Sequence, residues 1–180
     1  MRYLKTELPK VLVLVSEPIP DARGHFVRVF SREELAAEGL DFSVCQINRS
    51  YNLKKGTLRG MHFQKAPHAE DKLVQVIRGA ILDVALDLRP ESPTFGRHHA
   101  EVLSAENNRA LLIPQGCAHG FQTLADDTEI IYLVSAYYEP SAEGGLRWNN
   151  PGLTINWPEP PTVISDKDNS WPDYPLPSRV

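Results

Sequence analysis

An all-β fold, either a sandwich or a barrel, is predicted by three features of the sequence. Apolar residues gather in short segments rich in Val, Ile, Leu and Tyr, and 15 prolines and 11 glycines punctuate those segments. Only one segment has the pattern of a helix. Many short strands separated by turn residues are typical of sandwiches and barrels. Because the pattern contains no internal repeat and no linker, residues 1–180 are predicted to form a single domain.

Six segments have the composition expected of strands. They are Val11–Val15, His25–Phe30, Lys72–Ile77, Ala80–Leu86, Ala110–Ile113 and Thr128–Tyr138. Arg78 and Gly79 lie between the third and the fourth of these segments and are predicted to form a hairpin turn. From Asn149 onward the chain is dense in Pro and Trp, so we expect an irregular but ordered segment with short helical turns that wraps over the strands.

One short helix is predicted over Ser31–Glu38, in the N-terminal half of the chain. Ser31 can accept a hydrogen bond from the first turn, and Glu34 follows it at the spacing of a capping box. Gly39 can end the helix, because glycine readily adopts the left-handed conformation that is common after a last helical turn.

Charge and hydropathy exclude several classes of protein. The chain has 19 Lys and Arg against 23 Asp and Glu, and a net charge of -4 offers no broad attraction for nucleic acid. The sequence contains no apolar run of about 18 residues, the length needed to cross a membrane, and its N-terminus lacks the apolar run of a signal peptide. We therefore expect a cytoplasmic protein. Cys45 and Cys117 lack the spacing of a metal motif and are predicted to be buried free thiols.

The segment Leu58–Gln64 is the first of three polar clusters that could carry chemistry. In a regular strand, His62 and Gln64 would point to one face and Arg59 to the other, because successive side chains alternate. A single histidine on a strand is more often structural than catalytic, so this cluster is informative only in combination with others.

Two further clusters follow along the chain. Lys72 opens the otherwise apolar strand that follows Glu70, and Pro114–Phe121 is a turn containing Pro and Gly that presents His119. Lys72 could equally be the solvated end of a strand. Considered together and in this order, however, the three clusters indicate a common arrangement.

The glycine and histidine cluster, followed by the pattern Pro114-x-Gly116-x-x-His119, resembles the two motifs of the cupin jelly roll. In metal-binding cupins, the resemblance implies His-x-His in the first motif, but Gln64 stands at the second histidine position here. An amide oxygen is a poor substitute for imidazole, so neither a metal nor another cofactor is expected. His68 and Glu70 leave open a ligand set that is assembled differently.

The whole chain resembles one cupin-fold family, the dTDP-4-dehydrorhamnose 3,5-epimerases. The matching blocks are Asp21–Phe26, Gln46–Asn48, Leu58–Gln64, Lys72–Val74, Ala85–Arg89, Ser92–Gly96, Ile113–Phe121, Tyr132, Tyr138, Trp148–Pro151 and Ile164–Asp168. Their order and spacing make the resemblance specific. It implies a cupin-type jelly-roll barrel that acts as a homodimer on a nucleotide-linked 4-keto-6-deoxyhexose, without a cofactor.

The resemblance also implies a role for each of four residues in epimerisation. His62 is the base that removes a proton next to the ketone, and Asp168 holds it and makes it more basic. Lys72 stabilises the enolate oxygen, and Tyr132 returns a proton from the opposite face. The substrate-binding positions that the resemblance implies are Arg23, Phe26, Arg28, Gln46, Asn48, Arg59, His119, Tyr138, Trp148 and Lys167.

Three positions depart from the family pattern. Arg28 stands where the family usually has a glutamate in the nucleotide pocket, and Ile47 and Asn150 replace aspartates. A guanidinium only donates hydrogen bonds, so Arg28 predicts either a preference for a cytosine nucleotide such as CDP over dTDP, or a side chain turned away from the base. Ile47 and Asn150 are interpreted as surface drift.

Several alternatives to a double epimerase remain open. An epimerase that inverts only C3 or only C5 would use the same groups, as would a relative specific for CDP-sugars. A metal-dependent cupin enzyme and a cupin that binds sugar without catalysis are the remaining possibilities. For the homodimer, the sequence itself offers only the segment Tyr3–Val15, which alternates as a strand and could pair with a partner's sheet edge.

Overall fold

The computed structural model describes residues 1–176 and contains two antiparallel sheets with a shared core between them. The strands in chain order are β1 (Arg2–Lys5), β2 (Leu12–Val15), β3 (Ile19–Asp21), β4 (Gly24–Phe26), β5 (Gln46–Asn52), β6 (Leu58–Gln64), β7 (Lys72–Arg78), β8 (Ala80–Asp87), β9 (His98–Ser104), β10 (Arg109–Ile113), β11 (Cys117–Thr123), β12 (Thr128–Val134) and β13 (Glu143–Gly145). The larger sheet has the order β1-β2-β10-β7-β12-β5, and the smaller has the order β13-β6-β11-β8-β9. This arrangement confirms the predicted all-β class.

Strands β3 and β4 form a separate two-stranded hairpin, and helical structure is limited to short pieces among the described residues. These pieces are helix α1 (Arg32–Ala37), a 3-10 turn (Pro140–Ala142) and helix α2 (Asp166–Asn169). Within residues 1–176 no helix is both long enough and apolar enough to span a membrane.

Three apolar clusters hold the layers together. The central one lies between the sheets and joins Val74 and Val76 of β7 to Ile81 and Ala85 of β8. A second covers the outer face of the larger sheet, where Leu35 of α1 is fully buried. A third covers the outer face of the smaller sheet with side chains from the C-terminal segment, which confirms the predicted wrap.

Helix α1 forms where the capping residues predicted it. The Ser31 hydroxyl accepts a hydrogen bond from the backbone N–H of Glu34 at 3.3 Å, and the N–H of Gly39, whose φ is 78°, donates to the carbonyl of Ala36. The Glu34 carboxylate accepts hydrogen bonds from Arg28 and from the hydroxyl of Tyr3. The serine half of the predicted capping box is therefore formed, while the glutamate side chain ties the helix to the N-terminal segment.

The predicted hairpin at Arg78 and Gly79 is wrong in its topology. The turn exists, and Gly79 has a φ of 76°, but β7 belongs to the larger sheet and β8 to the smaller one. The connection therefore carries the chain from one sheet to the other. A turn signal is local, whereas the choice of pairing partner depends on burial of both sheet faces.

Other strand predictions need corrected bounds. The segment predicted as His25–Phe30 is a strand only to Phe26, and the one predicted as Thr128–Tyr138 ends at Val134. Tyr3–Val15 is two strands, β1 and β2, that pair with each other. Cys117 is buried as expected, but Cys45 is exposed because it directly precedes β5, the edge strand of the larger sheet.

Strand β6 does not keep a strict alternation of its side chains. In the pairing of β6 with β11, His62 lies opposite His119 and Arg59 lies opposite Phe121, so β6 has one more residue than β11 across this interval. A bulge of this kind shifts the face to which the following residues point. Arg59 and His62 consequently line the same cavity, contrary to the prediction from alternation.

The end of β8 is held by a buried carboxylate, Asp87. Its oxygens accept hydrogen bonds from the guanidinium of Arg89 at 2.7 and 2.8 Å, from Ser92 at 2.5 Å and from Thr94 at 2.6 Å. Burial raises the pKa of Asp87, but these donors outweigh burial and lower the pKa to about 2 from an ordinary 3.8. The loop after β8 therefore folds around a charge.

We expect this carboxylate to make stability depend on acidity. Since its pKa is lower in the folded state, the unfolded state takes up the proton first as pH falls, and stability present above pH 4 is lost toward pH 2. The shift corresponds to about 2 kcal/mol. Urea unfolding should show the stability advantage of wild type over Asp87→Asn shrinking by about that amount between roughly pH 5 and pH 2. A matched control is Asp41→Asn, which removes an exposed carboxylate. A stability difference between wild type and Asp87→Asn that does not change with pH would contradict the prediction.

Candidate active site

A cleft between the two sheets collects most of the predicted site residues. It consists of two adjoining cavities of about 340 and 310 Å³ that share His62, Lys72 and Tyr132. Predicted residues that line one cavity or the other are Gln46, Asn48, Arg59, His119, Tyr138, Lys167 and Asp168. Side chains from both sheets and from α2 thus converge on one space.

His62 is held by a carboxylate from the C-terminal segment. Its Nε2 lies 2.6 Å from Oδ1 of Asp168, which is buried, while about a third of the His62 side chain is exposed. The second oxygen of Asp168 accepts the backbone N–H of Gly60, and the Ser165 hydroxyl caps α2 by accepting the N–H of Asp168. A carboxylate at Nε2 favours a proton there, which leaves Nδ1 as the basic nitrogen of the neutral ring.

Asp168 is a charged group despite its burial. Burial raises its pKa, but the hydrogen bond and charge of His62, together with the bonds from Gly60 and Ser165, lower the pKa below the usual value. A carboxylate that stays ionised beside the imidazole stabilises the ring when it gains a proton.

Tyr132 and Lys72 face His62 from the larger sheet. They lie on the neighbouring strands β12 and β7, whereas His62 lies on β6 of the smaller sheet. Burial raises the pKa of the Tyr132 hydroxyl, the charge of Arg59 lowers it and that of Glu70 raises it further. The phenol therefore keeps its proton at neutral pH. The Lys72 ammonium pairs with Glu70 at 3.0 Å.

A second histidine and carboxylate pair lies beside the first. Nε2 of His119 lies 2.6 Å from Oδ1 of Asp83, whose side chain is fully buried. The other carboxylate oxygen of Asp83 is buried without a hydrogen-bond partner among the residues described. Sequence reasoning missed Asp83, although a charged residue within the apolar segment Ala80–Leu86 was the available signal.

Glu143 organises the other end of the cleft and was also missed. Both of its oxygens lie 2.6 Å from the ammonium of Lys167, and one accepts the hydroxyl of Tyr138 at 3.2 Å. Burial raises the pKa of Glu143, but Lys167 and Tyr138 outweigh burial and lower it. Arg59 differs from the lysines, because its Nε donates to the neutral amide oxygen of Asn52 at 2.8 Å. No carboxylate among residues 1–176 pairs with its guanidinium, so its positive charge suits an anionic ligand.

Four of the predicted binding residues do not line the cleft of their own chain. Arg23 and Phe26 are exposed on the β3–β4 hairpin, where Arg23 pairs with Asp21. Arg28 pairs with Glu34 of α1 at 3.0 Å. Trp148 lies in the C-terminal segment, where its carbonyl accepts the indole N–H of Trp157.

Gln64, at the second histidine position of the metal motif, and Glu70, one of the two residues weighed as alternative ligands, both have other partners. The Gln64 amide donates to the carbonyls of His68 and Tyr137 and accepts the N–H of Glu139, so it joins two loops. Glu70 pairs with Lys72. Within residues 1–176, no three His, Cys, Asp or Glu side chains are grouped so that they could hold a metal ion.

Comparison with known proteins places this chain in a family. A family model described as dTDP-4-dehydrorhamnose 3,5-epimerase matches residues 5–175. A relative of that name from Sinorhizobium fredii is 41% identical over 173 residues, which cover 96% of this chain and 89% of the relative. The solved Bacillus anthracis enzyme, with TDP and PPi bound, has a TM-score of 0.93 at 41% identity and covers 96% of this chain and 99% of its own.

A 3′-monoepimerase from Streptomyces bikiniensis, solved with dTDP-quinovose, is also similar. Its TM-score is 0.87 at 34% identity, over 94% of this chain and 86% of that one. The family model and the relatives agree over nearly the whole length of the sequence, and the chain belongs to the dTDP-4-dehydrorhamnose 3,5-epimerase family.

Proposed function

We propose that this protein converts a dTDP-linked 4-keto-6-deoxyglucose into dTDP-4-dehydrorhamnose by inverting C3 and C5. The observation that carries the proposal is the placement of His62 and Tyr132 on opposite sheets, across a cleft that both line. Inversion of a carbon requires that a proton leave one face and return to the other. Two proton-transfer groups on opposite walls meet that requirement.

The first step assigned to the cleft is proton removal by His62. The carbon next to the ketone gives its proton to the ring nitrogen that does not face Asp168, and the electron pair of the C–H bond moves toward the ketone oxygen. Asp168 stabilises the resulting imidazolium, since its carboxylate is 2.6 Å from the ring. Its bond to Gly60 fixes the carboxylate to the strand that carries the base.

The second step returns a proton from the other wall. The Lys72 ammonium stabilises the negative charge on the enolate oxygen, and Tyr132 donates its phenolic proton to the face opposite His62. The raised pKa of Tyr132 keeps this proton in place until the enolate forms. Solvent then restores the proton to the phenol and accepts the proton of the His62 imidazolium, so that the same groups can act on the second carbon.

Inversion of one carbon only is the second candidate. The likeness to the S. bikiniensis 3′-monoepimerase favours it, because the two chains share a fold over nearly their full lengths. The groups needed for one inversion and for two are the same. Product stereochemistry from dTDP-4-keto-6-deoxyglucose separates the two candidates.

A homodimer is part of the proposal, because two of the predicted nucleotide contacts lie outside their own cleft. Arg23 and Phe26 lie on the β3–β4 hairpin, with 89% of the Arg23 side chain and 64% of Phe26 exposed. If they bind the nucleotide, as the family resemblance implies, a second copy has to supply them. The hairpin is then an arm that reaches the partner's cleft.

Isotope uptake tests the chemistry. In deuterium oxide the product should carry deuterium at each inverted carbon, read by mass spectrometry. His62→Asn should abolish uptake and lower turnover by about 10² to 10⁴. Tyr132→Phe keeps the base, so exchange into the starting sugar should outlast inversion. Turnover by wild type without any uptake would contradict the mechanism, and equal loss of exchange and inversion in Tyr132→Phe would make Tyr132 a binding residue.

Mixed dimers test the arm. His62→Asn removes the base from one cleft, and Arg23→Ala removes a contact that its hairpin provides to the other. Co-refolding the two weak variants should restore about a quarter of the sites, since half of the dimers are mixed and each has one intact site. The control replaces Arg23→Ala with Lys72→Ala. It should restore no activity, because one cleft of each mixed dimer then lacks His62 and the other lacks Lys72. Failure of the first pair to complement would contradict a shared site.

Nucleotide preference tests Arg28. Its guanidinium is engaged by Glu34, which favours the alternative in which it is turned away from the base. Titration calorimetry should therefore give the same ratio of dTDP to CDP affinity for wild type and Arg28→Gln, with dTDP preferred. A wild-type preference for CDP that reverses toward dTDP in Arg28→Glu would instead assign base selection to this residue.

A further inference from the structure

Glu70 is a carboxylate of the cleft to which neither the sequence motifs nor the proposed mechanism gives a catalytic role. It lies two residues before Lys72, the first residue of β7, and lines the same cavity as His62, Lys72 and Tyr132. Its side chain is 11% exposed and that of Lys72 is 14% exposed, with 3.0 Å between the carboxylate and the ammonium. A nearly buried ion pair therefore stands at the centre of the proposed chemistry.

The neighbouring charges make this pairing specific. Asp168 is engaged by His62 on β6, Asp83 by His119 on β11, and Glu143 by Lys167 of α2. Arg59, also on β6, donates to an amide. Of the carboxylates facing the cleft from these elements, Glu70 is thus the one paired with Lys72. Its charge also reaches Tyr132, where it adds to the effect of burial.

A lysine needs such a partner in order to act at a defined point. Its ammonium is carried on a flexible four-carbon stem and has only hydrogen-bond donors, so an acceptor determines which of many conformers is populated. Electrostatic stabilisation of a developing oxyanion depends on a donor that is already in place when the charge forms. The acceptor at 3.0 Å restricts Lys72 to the side of the cleft that it shares with Tyr132.

We propose that Glu70 is a positioning residue for the epimerisation, which fixes the Lys72 ammonium where the enolate oxygen develops. The proposal deepens the proposed function and rests on the role given there to Lys72. We assign the effect of Glu70 to the length of its side chain and to its acceptor oxygen. A glutamine at this position keeps both, whereas an aspartate keeps the charge but is shorter by one methylene.

Two substitutions separate reach from charge. Glu70→Gln should retain kcat within about threefold, whereas Glu70→Asp should lower kcat between about tenfold and a hundredfold, the scale expected for a displaced catalytic group. In both variants KM should change less than about twofold, since the acceptor acts on the lysine rather than on the ground-state substrate. The reverse order, with Asp active and Gln impaired, would overturn positioning by reach.

A double-mutant cycle shows whether the effect passes through Lys72. In a Lys72→Ala background, Glu70→Asp should lower kcat by less than about twofold, because the group that it positions is gone. The same fold-loss in both backgrounds would overturn the proposal. Glu129→Asp is a matched control, since Glu129 is also a largely buried carboxylate in an ion pair, with the exposed Arg49, but lines neither cavity. It should leave kcat unchanged.

The outcomes distinguish this proposal from the function on which it rests. Absence of any epimerised product with wild-type protein would reject the function. Normal turnover by wild type with normal kcat in Glu70→Asp would reject only the positioning role. Thermal unfolding of each variant tests for a structural cause. If Glu70 had only a structural role, its substitution would lower the melting temperature equally in both Lys72 backgrounds, and the loss of kcat in the double-mutant cycle would be additive.

Discussion

The hydrogen bond between His62 and Asp168 connects the parts of this molecule that function requires. Asp168 lies on a helix of four residues, α2, which is too short to be stable by itself. The helix is held because Ser165 caps it and because its carboxylate binds both the ring of His62 and the backbone of β6. The C-terminal segment is thereby attached to the strand that carries His62. One contact closes the wall of the cleft, orients the imidazole and keeps a negative charge beside it.

The cleft can hold many charges because they occur in pairs. An isolated buried charge costs several kcal/mol, and a partner with good geometry offsets much of this cost. His62, Lys72, His119 and Lys167 each have a carboxylate partner. Arg59, bonded to an amide, is the exception and leaves positive charge for a ligand. The arrangement explains how a chain with a net charge of -4 can offer a site for an anionic nucleotide.

The fold could be predicted from sequence where the signal is local. Ser31 and Gly39 defined the helix, and strand-like composition between turn residues found β2, β4, β7, β8, β10 and β12, but β3, β5, β9, β11 and β13 were not among the predicted strands. The prediction failed where long-range pairing decides the outcome, as in the turn at Gly79, which joins two sheets. The bulge in β6, which brings Arg59 to the side of His62, was also missed, although an isolated glycine within a strand, Gly60, was an available signal.

The difference between local signals and long-range pairing also explains which residues of the site could be predicted from the sequence. The family resemblance pointed to His62, Lys72, His119 and Tyr132, and all four line the cleft. The partners Asp83 and Glu143 were missed. Asp83 left a signal, a charge within an apolar segment, but the residue of another strand or helix with which a carboxylate pairs cannot be identified from its own neighbourhood. Only the folded structure brings such partners together.

The proposed proton-transfer groups and two of the predicted nucleotide contacts occupy different parts of the chain. The proton-transfer groups lie on strands whose positions are fixed by the packed core, and a displacement there would disturb both sheets. Arg23 and Phe26 lie on an exposed hairpin that pairs with neither sheet. In the proposed dimer, a change in the hairpin alters what one subunit presents to the other and leaves the catalytic walls intact. Substitutions in the hairpin could therefore change the nucleotide contacts without changing the groups to which the reaction is assigned.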